Sequence, residues 1–153
     1  MPIYLVQHAL SLPKDMDPEK GISPEGRSQA ETIAEVARGY AVAVTQIRHS
    51  GKKRAKETAD IFTKALAPPE GVAEMPGLAP LDDVTLVAEA LLPESNLMLV
   101  GHLPFMERLA AYLVTGLATR PVFKFQNAGI VCLDHHPDVD SWVVTWSLSP
   151  RIG

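Results

Sequence analysis

The sequence predicts an α/β protein, a single three-layer domain with a mostly parallel central sheet and helices on both faces. Three observations carry this. Short apolar runs (PIYLVQ, VAVTQIRHS, SNLMLVG) alternate with amphipathic stretches of about 12–15 residues, the pattern of strands joined by helical crossovers. The segments between them are polar and rich in Pro and Gly. The chain has 153 residues, the length of one domain, without repeat, low-complexity segment or linker. One domain is expected over residues 1–153.

Each element follows from local chemistry. PIYLVQ is a buried strand and SLPKDMDPEKGISPEG a loop. Ser23 caps the first helix and Pro24 takes its first position. Ala30, Ile33, Ala34 and Ala37 recur at helical spacing, and Gly39 is expected to end that helix. VAVTQIRHS, rich in β-branched residues, is the second strand. KKRAKETADIFTKAL is a helix whose apolar face is Ala55, Ala59, Phe62 and Leu66. A loop with one short strand follows, then a helix over DDVTLVAEALL with Asp82 able to cap it. SNLMLVG is a strong central strand, and PFMERLAAYLVTG a fourth helix closed by Gly116. AGIVCLD and SWVVTWSL are two final strands, expected to be antiparallel because the polar turn HHPDVD that joins them is short.

Composition narrows the function. Apolar content of 46% with 21% charged residues is ordinary for a soluble globular protein. The net charge of −4 argues against nucleic acid or an anionic membrane as partner. No apolar span of membrane length and no signal peptide is found. Cys132 is the only cysteine, so no intramolecular disulfide forms. A cytoplasmic protein is the expectation. Cys132, in an apolar strand, reads as an inert buried thiol. Trp142 and Trp146 are four apart in one strand and are expected to share a face. His135 and His136 read as a surface turn, and no cluster has metal-ligand spacing, so no metal or other cofactor is expected.

The chemistry falls at strand ends. His8 lies just past the first strand, His49-Ser50 just past the second, and Gly101-His102 just past the central one. Arg54 lies in the first turn of the helix after the second strand. Open α/β sheets bind ligands at the carboxyl ends of their strands. A helix starting near Gly51 aims free N–H groups at that edge. Together these describe an anion pocket, most simply for phosphate, holding two imidazoles.

These residues resemble a known family. LVQHA is similar to the LVRHG or LVRHA signature of the histidine phosphatase superfamily. Ser50-Gly51-Lys52-Lys53-Arg54-Ala55-Lys56-Glu57-Thr58 resembles its second motif, a Ser followed four residues later by Arg-Ala and then Thr. Val100-Gly101-His102-Leu103-Pro104 resembles the third, and Gly21-Ile22-Ser23-Pro24-Glu25-Gly26 the segment opening the first helix. Gly77-Leu78-Ala79-Pro80 followed by Asp83-Val84 resembles the short linker of SixA-type phosphohistidine phosphatases. Length and motif order match that compact branch end to end. The resemblance implies a phosphoglycerate mutase-like fold and a metal-independent phosphatase. His8 would be the nucleophile, Arg54 the bidentate phosphoryl clamp and His102 a donor to the phosphoryl oxygens, with Gln7, Ser50 and Leu103 in the substrate site.

Two positions depart from the family. Gln7 stands where it has an arginine, offering two neutral N–H donors and no charge. Uncompensated, that loss would cost about 10–100-fold in rate. Leu10 stands where many relatives are acidic. Compensation is open to Arg48, His49, Lys52 and Lys53, all near the second strand end. Glu74, Asp82 and Asp83 are the candidate general acids, none in a convincing motif. Imidazole, whose conjugate acid has a pKa of about 6.5, leaves with far less proton help than an alkoxide. A phosphohistidine-bearing signalling protein is therefore the favoured substrate. The alternatives are a small phosphometabolite and a non-catalytic phosphate- or phosphoprotein-binding relative disarmed by Gln7. Asn127, just before a strand, is a further position able to face the pocket.

Overall fold

The computed structural model describes residues 1–152. Its elements are β1 (Ile3–Gln7), α1 (Pro24–Gly39), β2 (Gln46–His49), α2 (Lys53–Leu66), β3 (Val72–Glu74), α3 (Val84–Ala90), β4 (Leu97–Gly101), α4 (Phe105–Thr115), β5 (Ile130–His136) and β6 (Ser141–Leu148). The strands form one sheet in the order β3-β2-β4-β1-β5-β6. β1 to β4 run parallel, β5 pairs antiparallel with β1, and β6 antiparallel with β5. The predicted three-layer α/β domain is therefore the one observed, with its antiparallel pair at one edge.

Side-chain alternation divides the core. Ile3, Leu5, Leu97 and Leu99 face α3 and α4, packing with Val84, Val87, Phe105 and Leu109. Tyr4, Val6, Met98 and Val100 face α1 and α2, packing with Ile33, Ala34, Ala59 and Phe62. The inner strands are buried on both faces, so they read as continuous apolar runs rather than alternating ones.

Several local expectations are met and others corrected. Ser23 accepts from the Gly26 N–H, with Pro24 opening α1. Gly116, at φ 79°, caps α4. The end of α1 differs: Gly39 stays within the helix, and the left-handed residue is Ala41, at φ 57°. α3 is capped by Asp83, not Asp82, whose carboxylate accepts from the Ala79 N–H one turn earlier. His135 and His136 belong to β5 rather than to the turn. His135 bonds Asp140 at 3.0 Å and stands edge-on to Trp142. The two tryptophans do not share a face. Cys132 pairs with Trp146 and Leu133 with Val144, so Thr145 is a bulge. One extra residue resets the alternation. Trp142 joins the α3/α4 core, and Trp146 packs against Tyr4 on the other side.

The start of α1 rests on the loop that leaves the site. The Ser23 N–H and hydroxyl both donate to the Leu10 carbonyl. A Cβ on Gly26 would collide with that same carbonyl oxygen. Gly26→Ala is expected to lose about 1–3 kcal/mol of stability as α1 is pushed off the loop, read as a lower thermal midpoint.

Candidate active site

Parallel register assembles the site. Gln7, the last residue of β1, is level with Gly101, the last residue of β4. The His8 N–H donates to the Gly101 carbonyl at 2.9 Å, extending the ladder one residue further. His8 and His102 therefore leave two adjacent strands side by side. Their ring centroids are 5.0 Å apart, tilted by 50°. His49 ends β2 level with Val100, so Ser50 emerges beside His102. Ser50 Oγ and His102 Nε2 are 2.6 Å apart.

The ring orientation of His8 is set by its neighbours. His8 Nδ1 lies 2.7 Å from the Ala9 carbonyl oxygen. A carbonyl only accepts, so Nδ1 carries the proton and Nε2 keeps its lone pair. The Ala9 peptide is held in turn, its N–H donating to Thr58 Oγ1 at 2.9 Å. The Thr58 hydroxyl donates to the Arg54 carbonyl at 2.8 Å. Thr58 is fully buried and links the loop after β1 to the first turn of α2. On the other side, Asn127 Nδ2 donates to the His8 carbonyl at 2.9 Å and the Ala128 N–H to the Gln7 carbonyl at 2.9 Å. Asn127 thus serves the backbone of the His8 loop.

The electrostatics favour an anion. Burial, chiefly, lowers His8 to about 4; the hydrogen bond to the Ala9 carbonyl opposes that shift, and the charges of Arg54 and Lys20 add to it. Burial lowers His102 to about 3, helped by His8, Arg54 and Lys52. Both imidazoles are therefore neutral at neutral pH. The side-chain charges acting on them, Arg54 foremost, are cationic. Burial also disfavours the Arg54 charge, and among the described residues its guanidinium makes no ion pair. His102 Nδ1 and Gln7 Oε1 are buried without a hydrogen-bond partner.

Leu103 follows His102 and is 37% exposed, presenting an apolar rim. His49 is buried, its Nδ1 accepting from the Gly51 N–H at 3.0 Å, so it shapes the turn. Arg48 donates to Gln46 Oε1, and Lys53 pairs with Asp17 and Glu19. Neither is free to replace the arginine missing at position 7. Lys52 is exposed at the cap of α2, and its charge helps to lower the His102 pKa. Asp83 serves the start of α3, accepting from the Thr85 N–H, and Asp82 holds the Ala79 N–H. Glu74, at the end of β3, packs its carboxylate against Gly51. Among the described residues no group of three or more His, Cys, Asp or Glu side chains is placed to hold a metal.

Two residues at the site escaped the sequence reading in these roles. Thr58 was visible only as part of a motif, and Asn127 only as a position before a strand. Size does not locate the chemistry. A groove of about 740 Å³ lies between α1 and α2, lined by ion-paired residues such as Arg27, Glu57 and Arg38, and holds none of the residues above.

Comparison with solved structures bears on the fold. The chain superposes on the protein histidine phosphatase SixA, complexed with tungstate, with a TM-score of 0.83 at 23% identity, covering 98% of this chain and 97% of that one. The fold is phosphoglycerate mutase-like. A protein from Agrobacterium tumefaciens assigned as the phosphohistidine phosphatase SixA gives 0.76 at 22% identity, covering 97% of each chain. A mycobacterial glucosyl-3-phosphoglycerate phosphatase gives 0.73 at 19%, covering 97% and 99%. No protein-family model and no curated protein matches the sequence. In this phosphoglycerate mutase-like sheet the two imidazoles sit at the carboxyl edge of its two central strands, β1 and β4. Among the described residues no helix is long and apolar enough to cross a membrane.

Proposed function

We propose that the chain is a phosphohistidine phosphatase of the SixA type, working through a covalent intermediate on His8. The observation that carries this is the tautomer of His8. Nδ1 is committed to the Ala9 carbonyl, leaving the Nε2 lone pair free as a nucleophile in a cationic pocket. Arg54 binds two phosphoryl oxygens, and His102, steadied by Ser50, donates to another. Gln7 and the Leu103 segment complete the substrate site.

The reaction balances without a cofactor. His8 Nε2 forms a bond to phosphorus as the bond from phosphorus to the substrate's imidazole nitrogen breaks. The leaving imidazole takes a proton. Water then attacks phosphorus, the His8–phosphorus bond breaks, and inorganic phosphate departs. The positive charge that His8 carries while phosphorylated is met by the Ala9 carbonyl. No carboxylate donor is needed, because the leaving group is an imidazole. This favours a phosphorylated His of a signalling protein over a phosphate ester. It also fits the commitment of Asp82 and Asp83 to backbone N–H groups. The proposed setting is cytoplasmic, with neither nucleic acid nor membrane as partner.

The pH dependence follows from the depressed imidazoles. Once the substrate's own ionisation is divided out, kcat/KM is expected to stay flat from neutrality to about pH 5. It then falls tenfold per unit as His8 protonates near pH 4. An inflection near 6.5 would contradict a buried neutral nucleophile. Stability follows the same sign. The unfolded chain binds protons at these histidines first, so stability is whole above about pH 6.5 and is lost as pH falls through about 4. Thermal melts across that range separate the two effects.

A second reading is favoured by one observation. Gln7 brings no charge and leaves Oε1 buried without a partner. A chain disarmed in this way would bind a phosphate or phosphoprotein without turning it over. The deciding experiment is rapid-quench turnover of a histidine-phosphorylated protein beside p-nitrophenyl phosphate, with acid-labile phosphate on the chain measured. Release from the phosphoramidate with label on His8 establishes the phosphatase. Binding without release or label establishes the binder. Preference for p-nitrophenyl phosphate points instead to a small phosphoester.

A further inference from the structure

The sheet ends on two unequal edges. β3 is three residues long and carries Glu74. β6 is eight residues long, and no charged residue or proline falls between Ser141 and Ser149. Its ladder runs to β5, and among the described residues no other backbone segment bonds to it. Exposed edges are normally guarded by charge, proline or shortness, because their free N–H and C=O groups pair with a strand that fits. The one interruption in β6 is the bulge at Thr145, where the strand bends and its twist increases.

The bulge selects the strand that fits. A regular strand laid on this edge would leave one residue of β6 without an opposite number, as β5 does between Cys132 and Leu133. A second copy of the chain brings an extra residue of its own at the same level. Running antiparallel about a two-fold axis between Val144 and Thr145, it opposes Ser141 with Leu148, Trp142 with Ser147, and Val143 with Trp146. Opposed residues then share a face. Trp142 lies on the α3/α4 side, and so does Ser147, level with Val131. Trp146 and Leu148 lie on the α1/α2 side, and so does Val143, next to Trp142 along the strand. In an unbroken strand residues 143 and 146 would face opposite ways; the extra residue brings them to one side.

The surroundings agree with this pairing. A groove of about 360 Å³ opens on the α1/α2 side of the edge, lined by Tyr40, Val42, Trp146 and Leu148, with Tyr40 exposed at its rim. Val143 of a second copy, opposite Trp146, comes level with that groove as a β-branched residue against an aromatic one. Antiparallel pairing also keeps the acidic turns apart. The turn of each copy, with Asp138 and Asp140, falls at the strand end where the other copy has Arg151.

We propose that β6 is a self-association edge, on which two copies of the chain pair their β6 strands antiparallel and join two 6-stranded sheets into one. The residues at the ends of β1 and β4 lie beyond β5 from this edge, so the inference does not depend on the phosphatase reading.

Sedimentation equilibrium of wild type is expected to give a monomer–dimer equilibrium with a Kd of about 1–100 µM, the weak range of a small interface. Ser147→Lys places an ammonium at an exposed position of the edge. It is expected to weaken the dimer at least about tenfold while melting near wild type. Register is read by disulfide trapping. Ser141→Cys mixed with Leu148→Cys is expected to cross-link under mild oxidation, and neither variant to do so alone; the buried Cys132 stays in place throughout. Wild type that remains monomeric up to ~1 mM overturns the proposal and leaves the edge to a foreign strand. A dimer that Ser147→Lys leaves unchanged overturns it too, as does cross-linking of either cysteine variant alone as readily as of the mixture. If Ser147→Lys unfolds, the mixed cross-link decides: its formation upholds the pairing, and its absence overturns it.

Discussion

His8→Ala is expected to abolish phosphate release, lowering turnover of the histidine-phosphorylated protein by at least about 10³-fold. It should also remove the acid-labile phosphate from the quenched chain. The size of the effect follows from the role. The residue forms the bond to phosphorus, and no second nucleophile stands in its place, since His102 Nε2 is engaged by Ser50. Orthophosphate binding should fall far less, because Arg54 remains. Labelling that survives His8→Ala would move the nucleophile elsewhere and sink the mechanism. His8→Asn, closer in size, separates loss of chemistry from collapse of the loop. Thermal midpoints of both variants near wild type would show that the loop stands without the imidazole.

Arg54→Ala carries the second large expectation, a loss of about 10²–10³-fold in kcat/KM, of the order found when one charge-stabilising donor is removed. Arg54→Lys should recover only part of it, because an ammonium cannot hold two oxygens in a plane. Stability should move the other way. Arg54 is partly buried, and burial disfavours its charge. Removing it relieves that cost, so Arg54→Ala is expected to melt at or above the wild-type temperature without phosphate. Saturating orthophosphate should stabilise wild type and barely affect the variant. If Arg54→Ala unfolds the chain, the guanidinium is structural. If orthophosphate stabilises both equally, the anion binds elsewhere.

Most of the architecture was legible from the chain. Apolar runs marked the buried strands, because a strand covered on both faces has no polar side to show. Helix starts were legible where the cap is a local hydrogen bond, as at Ser23 and Pro24, and helix ends where glycine takes a positive φ, as at Gly116. The same logic failed where several residues competed for one role. Asp82 and Asp83 are adjacent caps of equal chemistry, and which one caps depends on a loop contact with Ala79. A period of two puts Trp142 and Trp146 on one face. The bulge at Thr145 exists only in the pairing with β5, which no window of β6 contains.

The site divides along the same line. Sequence by itself determined that His8, Ser50, Arg54 and His102 stand at the ends of elements, that position 7 is neutral, and that no disulfide staples the chain. Those are properties of residue type and local order. Tertiary structure alone decided that these ends meet. Parallel register sets Gln7 level with Gly101 and His49 level with Val100, which brings the two imidazoles to 5.0 Å and Ser50 onto His102. It decided that Thr58 holds the Ala9 peptide and that Arg48 and Lys53 are occupied elsewhere. The physical reason is distance. Propensity and capping act within a few residues, whereas a hydrogen bond across the sheet or a charge at a pocket mouth depends on which distant segments fold against each other.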